Sequence, residues 1–395
     1  MADFKFSDLK NVYEGFEEPL IRIYVNGMDI TQEEVPLVVN DVEVELSNGF
    51  EAGIASFNLT GVYDDEARVF AIDKVKKYLF LGSTVIVLLG YGVSLREVFR
   101  GFIARVHFVI PRTNANALPS IEISAMDAKG LMMANRHSKR LKATCYSDAV
   151  KEILSANTFL SQKDNNMKDF TTLNISNTPD KQDQGAGGGG GAGAGTGKTS
   201  DKRVEMVEES DYEFIVKAAK KFNFEFFIVG GTLYFIEAKK NTTPLITLTP
   251  YCGLRSLDVG YDISGLARSV EVRNIDMEQG KFVEDKKKAK TKISMGNKAK
   301  PLVEKQSFVY LDPTAQSKAE AGYRAAYLMD SIDYRLGSIQ AEFIGIPELV
   351  PGRFVELKNF GKPVDNSFYL TRVRHLLENK VYRTVFEGCA NSIKS

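Results

Sequence analysis

Cysteine and histidine are scarce, with three of each in 395 residues. Cys145, Cys252 and Cys389 are odd in number, far apart and outside any Cys-x-x-Cys pattern. That spacing excludes a disulfide framework and a zinc site, and fits reduced thiols in a protein made in the cytosol. The histidines show neither His-Glu-x-x-His nor His-x-His spacing, so no metal site is expected. Net charge is missing too: 51 Lys+Arg balance 51 Asp+Glu. No global field therefore draws in nucleic acid or an acidic membrane. Long apolar runs are absent. The most apolar stretch, YLFLGSTVIVLLGYG at 78–92, is too short and too glycine-interrupted to insert stably in a bilayer. The N-terminal MADFKFSDLKNVYEGFEEP is acidic and lacks the basic and apolar parts of a secretion signal, so assembly in the cytoplasm is expected.

What remains is β-patterning on a chain long enough for roughly two or three domains. Asn26-Gly27 separates two short apolar runs, a hairpin signal. Val42, Val44 and Leu46 alternate with Glu43 and Glu45, and Ala55, Phe57 and Leu59 repeat the period of two. Val69, Ile72, Val75 and Leu79 recur at helical spacing, which predicts a helix over 65–79. Further strands follow at 83–92, 97–110 and 119–128, making residues 20–127 one β-barrel or sandwich. Ser147 is placed to cap a short helix burying Val150, Ile153 and Leu154.

From about 157 to 203 periodicity disappears, and the segment ends in a Gly/Ala tract with the composition of a flexible linker. Residues 192–199 in that tract read A-x-x-x-x-G-K-T, one substitution from a phosphate-binding loop. Such a loop works only between a buried parallel strand and a helix start, where backbone N–H groups converge on phosphate. The preceding TPDKQDQGAGGGGG cannot form that strand, and the following SDKRVEMVEESDY lacks helical periodicity. Gly197, Lys198 and Thr199 are therefore read as a product of composition, with no cofactor expected. The alternative, a nucleotide hydrolase acting through 192–199, would lose its activity when 185–198 are deleted.

Order resumes at ESDYEFIVKAAKKFNFEFFIVGGTLYFIEAKK, where Ser210 and Glu213 form a capping-box pair. An apolar stripe of Phe214, Ile215, Ala218, Ala219 and Phe222 leads to a hairpin turned at Gly230-Gly231. Beyond Pro244 the chain is β-rich again. It carries a lysine-rich stretch over 281–305 and a helix over 313–333 entered at Asp312-Pro313. Three further strands and YRTVFEG close it. The two β-regions echo one another. Helix, Gly82, STVIVLL and FIARVHF in the first match helix, Gly352, RFVELKN and YLTRVRH in the second. Arg105, Val106 and His107 thereby correspond to Arg372, Val373 and His375, which suggests a duplicated barrel.

No constellation for catalysis emerges. His107 and His375 lack a nearby nucleophile pattern and read as half-buried residues bonding to backbone. Cys145 precedes a helix start but is paired with no histidine. Asp64-Asp65 and Glu208-Glu209 need only be helix caps. The tract DKKKAKTKISMGNKAK lacks interleaved aromatics for base stacking and reads as a solvated loop or a partner-binding edge.

A family resemblance runs through these segments, over about 20–388. ESDYEFIVKAAKKFNFEFFIVGGTLYFIEA resembles the most recognisable segment of the phage late control protein D family. That family comprises baseplate hub proteins of contractile tails and includes the N-terminal part of type VI secretion VgrG proteins. FLGSTVIVLLGYG…EVFRGFIARV is similar to its first barrel. LVPGRFVELKNFG…FYLTRVRHLLE is similar to its closing barrel, with Pro351-Gly352 and His375 at the family positions. The resemblance implies a mainly β chain with an α+β insertion and two tube-like antiparallel β-barrels, three chains forming a pseudo-sixfold ring. The expected domains are a first barrel over 1–145, an α/β module over 146–240 holding the Gly-rich insertion, and a second barrel over 241–395. The implied function is a structural, non-enzymatic symmetry adaptor that joins the hexameric tail tube to a trimeric spike and transmits contraction force. Implied partners are two further copies of itself, the tube protein, other baseplate or wedge proteins and a tape measure protein. VgrG-type chains continue into a spike, whereas this one stops at Ser395, so a separate spike protein is also expected. A hub with cell-wall hydrolase activity is the remaining alternative, and no acid/nucleophile pattern predicts it.

Overall fold

Period-two patterns become strands wherever one face can be buried. The computed structural model describes residues 2–32, 37–76, 78–111, 118–156, 172–179, 203–276, 280–292, 298–315 and 317–394. Twelve strands carry the architecture. The first six are β1 (Pro19–Val25), β2 (Val38–Ser47), β3 (Ile54–Thr60), β4 (Thr84–Tyr91), β5 (Ser94–Val109) and β6 (Ser120–Met126). The second six are β7 (Pro244–Leu248), β8 (Leu254–Tyr261), β9 (Gly337–Ile344), β10 (Phe354–Leu357), β11 (Ser367–Glu378) and β12 (Val381–Ala390). The fold is mainly β, and all twelve belong to one large, largely antiparallel sheet.

The two sets have one topology. Neighbours run β1-β4-β5-β6-β3-β2 in the first and β7-β10-β11-β12-β9-β8 in the second, so each strand has its equivalent six places on. One pairing differs in direction: β1 is antiparallel to β4, whereas β7 is parallel to β10. Finer features repeat as well. The register slips between Ile103 and Arg105 where β5 meets β6, and between Leu370 and Arg372 where β11 meets β12. Gly82 and Gly352, with φ of 85° and 77°, enter the fourth strands in the left-handed region that glycine tolerates. The Gly82 N–H donates to the Ile103 carbonyl at 2.8 Å, and the Gly352 N–H to the Leu370 carbonyl at 2.9 Å.

This register corrects part of the echo. Arg105-Val106 does match Arg372-Val373, but His107 falls opposite Arg374 in the equivalence and His375 opposite Phe108. A one-residue offset in a strand reverses the face. His107 accordingly lies outside and His375 inside. The helices do not correspond either. In place of a helix over 65–79 the chain makes a short hairpin, Tyr63–Asp64 with Val69–Phe70, and one helical turn at Ile72–Val75. The Asp64 carboxylate accepts from the N–H of Glu66 and Ala67, and Arg68 adopts a φ of 56°, so the turn wins over helical periodicity. The long helix of the second region, Lys318–Asp333, precedes β9 instead of following it. Its cap is Ser317, which accepts from the Glu320 N–H, while Asp312 folds back on Thr314. Helix Tyr146–Ala156 begins before Ser147, so that serine is no cap, and its N–H donates to Thr178.

The sheet encloses one apolar core shared by both sets, from Ile23, Val44 and Phe57 to Phe343, Val373 and Phe386. Two further cores flank it. One packs helix Asp211–Phe222, with its capping box and the Gly230-Gly231 turn, on strands Phe224–Val229 and Thr232–Glu237. The other packs Lys318–Asp333 on strands Ser269–Asp276, Lys281–Lys288 and Ser307–Leu311. The start of the lysine-rich stretch is thus an edge strand, not a loop. Residues 293–297 of that stretch, and the Gly-rich segment with Gly197, Lys198 and Thr199, lie outside the described residues.

Candidate functional site: the joint between the two strand sets

Where the sets meet, β2 pairs antiparallel with β11, with Ser47 opposite Arg372 and Val42 opposite Leu377. Alternation does the sorting. Val42, Val44, Leu46, Val373 and His375 face the shared core. Glu43, Glu45, Arg372 and Arg374 face outward and pair across the seam, Arg372 with Glu45 at 3.4 Å and Arg374 with Glu43 at 3.8 Å. These half-exposed ion pairs contribute little individually. The continuous ladder and the buried face hold the joint.

Polar residues lock the joint from inside. His375, wholly buried, donates from Nε2 to the Leu349 carbonyl at 3.1 Å and accepts at Nδ1 from the Tyr382 hydroxyl at 2.9 Å. Burial pushes its pKa down to about 4, so it stays neutral. The N-terminal arm crosses between the sets. Phe4 bridges to Ile246, and Tyr13 donates to Glu348 at 2.6 Å, with Arg96 of β5 at 3.7 Å from the same carboxylate. Tyr91 of β4 donates to the Gly345 carbonyl at 2.9 Å.

A second network ties both flanking cores to the sheet. Lys239 reaches Asp330 at 2.7 Å and Glu225 at 3.9 Å, over the rings of Tyr334 and Tyr369. Asn48, just after β2, donates to Glu225 at 3.0 Å, and the Tyr369 hydroxyl of β11 donates to the other oxygen. Burial works against the Lys239 charge, but the two carboxylates outweigh it and raise its pKa. Glu225, farther from the ammonium, is instead pushed up by burial. Lys129, fully buried, donates to the carbonyls of Gly49 and Glu51 and fixes the turn between β2 and β3.

The residues singled out from sequence do not converge. His107 is exposed and sits 3.0 Å from Glu122. Cys145 contacts Ser147 Oγ at 3.3 Å, and Glu209 ends a strand and pairs with Lys217. Among the described residues no group of three His, Cys, Asp or Glu is placed to hold a metal. No described helix is long and apolar enough to cross a membrane. Sequence reasoning missed Lys239, Glu225 and Asp330: Glu225 and Asp330 are signalled only by charge inside an apolar pattern, and Lys239, in the polar run EAKKN, by nothing. It also missed the pairing of β2 with β11.

No family model matches the chain, and no curated protein matches it. Solved structures do. A tail protein from Neisseria meningitidis MC58 superposes with a TM-score of 0.63 at 12% identity, covering 94% of this chain and 97% of its own. The fold is that of a phage-type tail protein. The 43 kDa tail protein of prophage MuSo2 from Shewanella oneidensis gives 0.64 at 9% identity, covering 94% and 98%. A component of the Escherichia coli type VI secretion system, itself similar to the T4 tail proteins gp27 and gp5, gives 0.54 at 12% identity, covering 94% and 77%. The resemblance read from the sequence thus holds for this tail-protein fold along nearly the whole chain.

Proposed function

We propose that this chain is the baseplate hub of a contractile tail or injection system, three copies forming an adaptor between a hexameric tube and a threefold spike. The observation that carries the reading is the repeated strand order. Two equivalent six-strand units in one polypeptide let three molecules present six similar units to a sixfold tube, and still present three chains to a threefold partner. Each set is a tube-like barrel unit, the first within 1–145 and the second within 241–395, with the α/β module of 146–240 between them. The arrangement suits load. Axial force on a joint made of a continuous ladder and a buried core must break many backbone hydrogen bonds together. The Lys239 network couples the flanking modules to that joint, so force reaching them is shared with the sheet. The chain acts in the baseplate of a tail or tail-like particle, alongside other baseplate proteins. Light scattering on the purified protein, alone and with its tube and spike partners, tests this. The mass of three chains is expected in the assembled complex, and one, two or six would overturn the adaptor role.

A further inference from the structure

The joint has a reciprocal that one chain leaves open. Within the chain, the second strand of the first set (β2) pairs with the fifth strand of the second set (β11). The equivalent strands are β8 and β5. Among the described residues, β8 ends the sheet and pairs only with β9. On its β4 side β5 is bonded as far as Ile103, whose N–H and carbonyl meet Ser83 and Gly82, so residues 105–109 have β6 on one side and no described strand on the other.

Burial marks the same two edges. At the closed joint Val42, Val44 and Leu46 are at most 2% exposed. Their equivalents on β8, Leu257, Val259 and Tyr261, are only half-buried. His375 is 0% exposed, whereas its equivalent Phe108 is 46% exposed. Backbone direction agrees. The Asn48 N–H crosses the closed joint to the Thr371 carbonyl, which fixes Leu46 and Val44 as donors across it. On β8 the Asp262 N–H points inward to Leu336, so Tyr261 and Val259 point out to the open edge.

We infer that β5 of one copy pairs antiparallel with β8 of the next, in the register of the β2–β11 joint, with Val106 opposite Tyr261, Phe108 opposite Val259 and Val109 opposite Asp258. The inference rests on the hub reading above and supplies its contact: a head-to-tail interface that closes after three copies. It would bury the half-buried Leu257, Val259 and Tyr261 as their equivalents are buried, and cover the side of Phe108 that its edge contact with Phe70 leaves exposed. It also brings His107 toward Asp258, as Arg374 meets Glu43 within the chain.

Cysteine pairs test the register. In a Cys145→Ser background, Val109→Cys with Asp258→Cys places two thiols directly opposite, within disulfide reach. Mild oxidation should convert most of the protein into covalent trimer. Val109→Cys with Ser256→Cys, two residues out of register, should stay largely uncrosslinked. Val259→Pro removes an outward N–H, which an edge strand tolerates. It should leave the monomer's circular dichroism unchanged and abolish the trimer. A trimer that forms without the 109–258 link, or that survives Val259→Pro, overturns the strand pairing and leaves the hub reading standing. A chain that stays monomeric with its tube and spike partners present overturns both.

Discussion

Replacing Lys239 with methionine should cost about 3 kcal/mol of stability, and more than any surface lysine does. The ammonium lies between Asp330 at 2.7 Å and Glu225 at 3.9 Å, with its side chain 16% exposed. Methionine fills similar space and keeps contact with Tyr334 and Tyr369, but leaves two carboxylates facing one another without a counter-charge. Removing one partner of a buried ion pair is far costlier than removing both, because the orphan keeps its desolvation penalty. Lys239→Met with Asp330→Leu should therefore recover part of the loss. Chemical denaturation of the three proteins gives the comparison. A single variant as stable as the parent would show that the network does not tie the modules to the sheet.

Acid should weaken the fold through His375, and the direction follows from linkage. Its folded pKa is about 4 against an ordinary value of 6.5. Above pH 6.5 neither state is protonated there, and the group adds no pH dependence. As pH falls from 6.5 towards 4, the unfolded chain takes up a proton that the folded chain refuses. Stability drops, by roughly 3 kcal/mol in all, until the folded state also protonates. His375→Gln keeps a polar partner for Leu349 and Tyr382 but cannot titrate. The stability difference between pH 7 and pH 4 should be smaller in the variant by about that amount. Equal acid sensitivity in both proteins would place the proton elsewhere.

Much of the local structure was legible because the signals are local. Val42, Val44 and Leu46 announce a one-sided strand, Ser210 and Glu213 announce a helix start, and Asn26-Gly27 and Gly230-Gly231 announce turns; all are present. The helix expected over 65–79 failed where two local codes competed. Apolar spacing favoured a helix, and the Asp64 turn with Arg68 in the left-handed region favoured a hairpin. Partner identity was not legible. A period of two says which face is buried but not which strand lies alongside, so the pairing of β2 with β11 needed the structure. The echo was visible as letters, Arg-Val in both copies. Whether His107 and His375 shared a face depended on a bulge register that letters do not carry.

On the hub reading, two look-alike strand sets per chain let three chains stand in for six. Electron microscopy of the assembled particle, viewed down its axis at the level where the tube ends, measures this most directly. Three copies of the chain are expected there, whose inner β-density repeats six times around the axis while the flanking modules repeat three times. Six copies at that level, or inner density with only threefold repetition, would contradict it.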